Sequence, residues 1–95
     1  MSGPLTGFKV LGMSRVLAGP AATVLLADQG ADVIKVEPPR GDVVRAMGGG
    51  GVTPGFVTAN RGKRSIALDL KSAAGIAVVE RLAEDADVFV QNFRP

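Results

Sequence analysis

Two places in the chain join a helix-like stretch to a strand-like one in the same way: Gly30-Ala31-Asp32-Val33 and Asp85-Ala86-Asp87-Val88. Each follows a run with apolar residues at helical spacing and opens a short β-branched or aromatic run. Repeated βα units of this kind fold as parallel strands, because a parallel neighbour is reached only by a crossover, usually a helix. That echo constrains the chain more than its composition does.

The remaining elements fall around it. Phe8 to Met13 is apolar apart from Lys9 and reads as a first strand, bounded by Gly7 and by Ser14-Arg15. Gly19-Pro20 opens a helix with proline at the first helical position, where its missing N–H costs nothing. Ala21 to Gln29 continues that helix, and Gly30 is its left-handed stop. Asp32 to Glu37 is a second strand, ended by Pro38-Pro39 because neither proline donates to a ladder. Ser65 to Leu70 is a third, with Ile66, Leu68 and Leu70 at period two. Ser72 caps a second helix whose apolar face carries Ile76, Val79, Leu82 and Ala83, with Glu80, Arg81 and Glu84 outside. Val88 to Gln91 is a fourth strand and reads as buried. The expected class is α/β, a Rossmann-like parallel sheet with flanking helices.

Between the second and third strands, Pro38 to Gly62 holds three prolines and seven glycines, including Gly48 to Gly51. A loop of that length is either functional or mobile. The chain stops at Asn92-Phe93-Arg94-Pro95, where a doubly wound sheet calls for a crossover helix. Residues 1–95 therefore read as the partial, amino-terminal portion of a larger domain, and the Ala21–Ala27 helix is expected to leave apolar surface uncovered.

Composition removes several classes of function. With no cysteine and no histidine, neither a thiolate zinc site nor a Ser-His-Asp or Cys-His arrangement can be built within these residues, and no metal is expected. A net charge of +2, from 11 basic against 9 acidic residues, is too balanced to draw nucleic acid or a membrane surface. The four aromatics, Phe8, Phe56, Phe89 and Phe93, are scattered and give no stacking platform. The apolar run from Ala18 to Ala27 is shorter than the roughly 20 residues of a membrane span. The start, Met1-Ser2-Gly3-Pro4, lacks the basic and apolar regions of a signal peptide, so the cytoplasm is the expected compartment.

In a parallel sheet the ligand crevice lies beyond the carboxyl ends of the strands. That edge gathers Ser14 to Ala18, Glu37 to Arg45, Lys71 and Asn92-Phe93, which as ordinary solvated loop residues would need no further explanation. Glu37 stands where an acid would take a ribose hydroxyl, but the first turn, Ser14 to Pro20, has no G-x-G-x-x-G. Gly48 to Gly51 is followed by Val52-Thr53-Pro54 and not by a Lys-Ser/Thr helix start, so it is no P-loop. Gly62-Lys63-Arg64-Ser65 reads as a basic loop entering a strand. The basic residues near the edge suit a ligand with several phosphates, such as coenzyme A.

At this point the residues resemble a known family. Pro4-Leu5-x-Gly7-x-x-Val10-Leu11, Ser14-Arg15-Val16-Leu17-Ala18-Gly19-Pro20 and Leu25-x-Ala27-Asp28-x-Gly30-Ala31-Asp32-Val33-Ile34-Lys35-Val36-Glu37-Pro38-Pro39 resemble the amino-terminal signature of the class III CoA-transferases, the CaiB/BaiF family. The likeness continues through Gly41-Asp42, Asn60 to Lys71, and Ala86-Asp87-Val88 to Asn92-Phe93-Arg94-Pro95. It implies a longer protein, an interlocked homodimer with a Rossmann-like large domain, of which residues 1–95 are the opening part. It also implies acyl-CoA and carboxylic acid substrates, and transfer through a later aspartate that carries first the acyl group and then CoA. Racemases of 2-methylacyl-CoA in the same superfamily use a later His/Asp pair, and a non-catalytic CoA- or nucleotide-binding module is the reading from another class. No catalytic residue is assigned here, and Asp28, Asp42 and Asp69 are not candidates.

The resemblance does imply CoA contacts. Val16, Leu17 and Ala18 match the family segment at the nucleotide end of CoA, and Leu68, Lys71, Asn92 and Phe93 match other contacts. Arg40 takes the phosphate contact that some transferases place directly after the strand-two glutamate, where this chain has Pro38. Leu17 replaces the glutamine of formyl-CoA transferases, which argues against formate or oxalate, and Gly12 stands where many members have aspartate.

Overall fold

The computed structural model describes residues 3–13, 18–40 and 60–92. Along them run β1 (Lys9–Gly12), α1 (Ala18–Asp28), β2 (Asp32–Glu37), β3 (Arg64–Ala67), α2 (Ala73–Asp85) and β4 (Val88–Val90). All strand pairs are parallel, in the order β3-β2-β1-β4. This is the order of the first four strands of a doubly wound sheet.

Side chains alternate across the pleat, so each strand feeds two layers. Val10 and Val33 pack on one face with Ala27 and Ala31, the last from the α1–β2 joint. Leu11, Met13 and Val36 pack on the other with Ile34, Ile66, and Val79 and Leu82 from α2. Leu11 and Val33 are each 1% exposed. Burial of such a side chain contributes about 1.5–3 kcal/mol.

The echoed joints do related work at the strand entries. The Asp87 carboxylate accepts the Lys9 N–H at 2.8 Å, tying β4 to β1. The Asp32 carboxylate accepts two bonds from the Arg64 guanidinium, at 3.1 and 2.7 Å, tying β2 to β3. Gly30, between α1 and β2, has φ +100, and a Cβ there would lie 2.9 Å from the Gly3 nitrogen and from Thr6 Oγ1. Conformation and space both require glycine at this turn.

Several boundaries differ from the sequence expectation. Helix α1 begins at Ala18, so Pro20 is its third residue and not its first. The change costs nothing, because the first four N–H groups of a helix have no intrahelical partner. The expected cap at Ser72 is present: its hydroxyl accepts the Gly75 N–H at 3.0 Å. Strand β3 ends at Ala67 and not at Leu70, because its partner β2 runs into Pro38; the last rung is Leu68 N–H to the Glu37 carbonyl, 2.8 Å. On α2, Val79 and Leu82 reach the core but Ile76 is 45% exposed. The apolar run of α1 is buried at Val24 and Ala27 and, as expected, leaves apolar surface uncovered at Leu25, which is 61% exposed. Strand β4, expected to be buried, is an edge strand, and Phe89 is 50% exposed.

Candidate functional site

Because every strand runs in the same direction, the chain leaves β1, β2, β3 and β4 at one edge of the sheet, and α1 and α2 both begin there. At this edge, beyond the ends of β2 and β3, lies a groove of about 220 Å³. It is lined by Val36, Pro38 and Pro39 from the end of β2 and by Leu68, Asp69, Leu70 and the exposed Lys71 from the segment after β3. The prolines that end β2 therefore also supply rigid apolar surface beside the leucines that continue the period of β3.

A short turn holds Lys71 in place. The Asp69 carboxylate accepts the Lys71 N–H at 2.9 Å, and the Asp69 carbonyl accepts both the Ser72 N–H (3.1 Å) and the Ser72 hydroxyl (2.9 Å). The same Ser72 oxygen caps α2. Gly75, buried in the first turn of α2, lies so close that a Cβ would run into the Asp69 carbonyl oxygen. The turn that presents Lys71 and the start of α2 thus form one rigid unit.

Of the eight residues singled out for CoA, Leu68 and Lys71 share this groove. Arg40 is exposed and follows the Pro38-Pro39 wall directly. Ala18 is the first residue of α1, at the same edge. Asn92 is exposed beyond β4. Three strand spacings separate β4 from β3, about 14 Å, so Asn92 stands apart from the groove. Val16, Leu17 and Phe93 lie outside the described residues, as do Gly41, Asp42 and the Gly48–Gly51 run. Glu37 is not offered to a ligand as a free ribose acceptor: it is 5% exposed and already engaged.

Pro38 and Pro39 fall within the Glu37–Arg45 stretch expected at this edge, whereas nothing in the sequence marked Val36 and Leu70 as groove residues. The sequence reading also missed Lys63, taken as part of a basic loop, whose half-buried ammonium donates to the Pro20 carbonyl at 3.0 Å and to Asn60 Oδ1 at 2.8 Å. The available signal for the turn was Asp69 three residues before a capping serine, a spacing that favours side-chain capture of backbone N–H groups. The contact of Lys63 with α1 had no such signal.

A larger cleft, about 290 Å³, lies at the opposite edge beneath the end of α2 and includes Lys9, Asp32, Arg64 and Asp85. Its arginine is already paired with Asp32, and the first-described groove is the one at the ligand edge of the fold. Among the described residues no cluster of three or more acidic, histidine or cysteine side chains could hold a metal, and no helix is long and apolar enough to cross a membrane.

Fold and groove together define a parallel α/β unit with an open groove beyond the carboxyl ends of β2 and β3. The chain belongs to CoA-transferase family III, whose model matches residues 5–95. It is 50% identical over 101 residues to the succinate–glutarate CoA-transferase of Agrobacterium fabrum, covering 96% of this chain and 25% of that protein. It is 46% identical over 96 residues to the human succinyl-CoA:glutarate CoA-transferase, covering 97% of this chain and 22% of that one. Among solved structures, a CaiB/BaiF family protein from Brucella suis superposes with a TM-score of 0.92 at 44% identity, over 98% of this chain and 26% of that one. The chain spans about a quarter of the length of the relatives it matches.

Proposed function

We propose that residues 1–95 form the amino-terminal part of a CoA-transferase and supply one portion of its coenzyme A site. The observation that carries this reading is the groove at the carboxyl edge, where Leu68 and Lys71 meet Pro38 and Pro39 in a chain of this family. Proline and leucine walls suit the flat adenine or the pantetheine arm, and an exposed ammonium suits a phosphate. Arg40, one residue beyond the proline wall, adds a second cation on the same side. Ala18 and Asn92 extend the contacts along the edge, which an extended ligand such as CoA can follow, and Val16, Leu17 and Phe93 complete the proposed set.

The reaction proposed for the whole protein is transfer of CoA between carboxylic acids in a homodimer. Named relatives pair succinate with glutarate or mesaconate, which makes short dicarboxylic acids the substrate class to try first. The nucleophilic aspartate is not proposed among the described residues. Asp28 is paired with Arg61 at 2.7 Å, and Asp69 is used by the turn that holds Lys71. Similarity to several transferases favours transfer over the racemase reading.

The test is calorimetric titration of CoA into the full chain made by the source organism and into its Lys71→Ala variant. Loss of one charge-assisted contact should weaken binding about 10- to 150-fold. Equal affinity would remove Lys71 from the site.

A further inference from the structure

Lys63 links two parts of the chain that lie 43 positions apart. It stands just before β3, yet its side chain reaches the first turn of α1 and donates to the Pro20 carbonyl at 3.0 Å. The Pro20 carbonyl also accepts the Thr23 hydroxyl at 3.1 Å, and Thr23 is 1% exposed, so this turn is held from inside by one side chain and from outside by another. The second acceptor of Lys63, Asn60 Oδ1 at 2.8 Å, is itself buried at 7% exposure.

The same stretch grips the other end of α1. Arg61 pairs with Asp28, the last helical residue, at 2.7 Å. Its side chain is 53% exposed and that of Asp28 34%, and exposed pairs of this kind contribute little. The contact with mechanical consequence is therefore the half-buried one, at the end of α1 that faces the ligand edge.

We propose that Lys63 is a positioning residue for coenzyme binding. It fixes the first turn of α1, which begins at Ala18, relative to β3, which leads into Leu68 and Lys71. One side chain thus ties together the two halves of the proposed CoA edge, those before and after the long Pro38–Gly62 segment. This inference rests on the CoA reading above, and Lys63 itself touches no ligand in it.

The test uses the full chain as its organism makes it, in four forms: wild type, Lys63→Met, Lys63→Arg and Arg64→Ala. Methionine keeps most of the apolar stem and removes the donor; arginine keeps a donor; Arg64→Ala removes an exposed pair at the opposite edge. For Lys63→Met we expect Kd for CoA and KM for acyl-CoA to rise about three- to tenfold, below the full worth of a charge-assisted hydrogen bond because Lys63 acts on the ligand only through α1. We expect kcat to stay within about threefold, because the changed contact serves binding and not the chemical step. Amide exchange should quicken in the first turn of α1 and not in α2, Lys63→Arg should recover part of the affinity, and Arg64→Ala should match wild type.

Equal CoA affinity in wild type and Lys63→Met overturns the positioning role while leaving the CoA reading intact. So does an equal loss in Arg64→Ala, which would mean general loosening of the sheet. A wild type that binds no CoA overturns the coenzyme reading itself, and the role of Lys63 in it falls too.

Discussion

Replacing Gly75 by alanine sets two rules against each other. On helix propensity, alanine inside α2 is better than glycine by about 1 kcal/mol, so the change should stabilise. The structure reverses the sign. A Cβ at position 75 would run into the Asp69 carbonyl oxygen, with the Asp69 carbonyl carbon 2.8 Å away and Ser72 Oγ 3.1 Å away. The obstacle is backbone, so it cannot turn aside as a long side chain would. Relief requires α2 to move away from the Asp69–Ser72 turn, which forfeits the Ser72 cap on the Gly75 N–H. Overpacking costs about 1–3 kcal/mol and a lost cap about 1 kcal/mol. After the propensity gain, the net loss is about 1–3 kcal/mol. The assay is urea denaturation of the full chain as its organism makes it, followed by far-UV circular dichroism. An Ala74→Gly control, at the exposed neighbouring position, should lose no more than about 1 kcal/mol. An unfolding midpoint for Gly75→Ala above wild type would refute the close approach on which this reasoning depends.

Two further outcomes test the packing and the surface. Leu11→Ala should destabilise by about 2–5 kcal/mol in the same denaturation assay, because Leu11 is 1% exposed in the layer between the sheet and α2. Arg64→Ala should change stability by no more than about 1 kcal/mol despite its two-bonded carboxylate partner, since the side chains of Arg64 and Asp32 are 68% and 45% exposed. A larger loss that disappears in 1 M salt would show that this pair does more than its exposure allows.

What the sequence determined by itself is the part governed by near neighbours. Proline after Glu37 had to end β2, a serine before an Ala-Ala-Gly turn could cap α2, and two matching helix-to-strand joints required parallel strands. The family resemblance likewise rested on residues in order along the chain. Tertiary structure decided whatever depended on which elements lie side by side. Strand β3 stops at Ala67 because β2, its one neighbour, has already ended, and Phe89 is exposed because β4 has β1 on only one side. Gly75 cannot accept a side chain because Asp69 folds back over it. Lys63 meets Pro20 across 43 positions of sequence, a contact invisible to local pattern because it depends on α1 packing against β2, the strand beside β3 in the sheet. Propensity and capping act within a few residues, whereas burial and steric fit are properties of the assembled sheet.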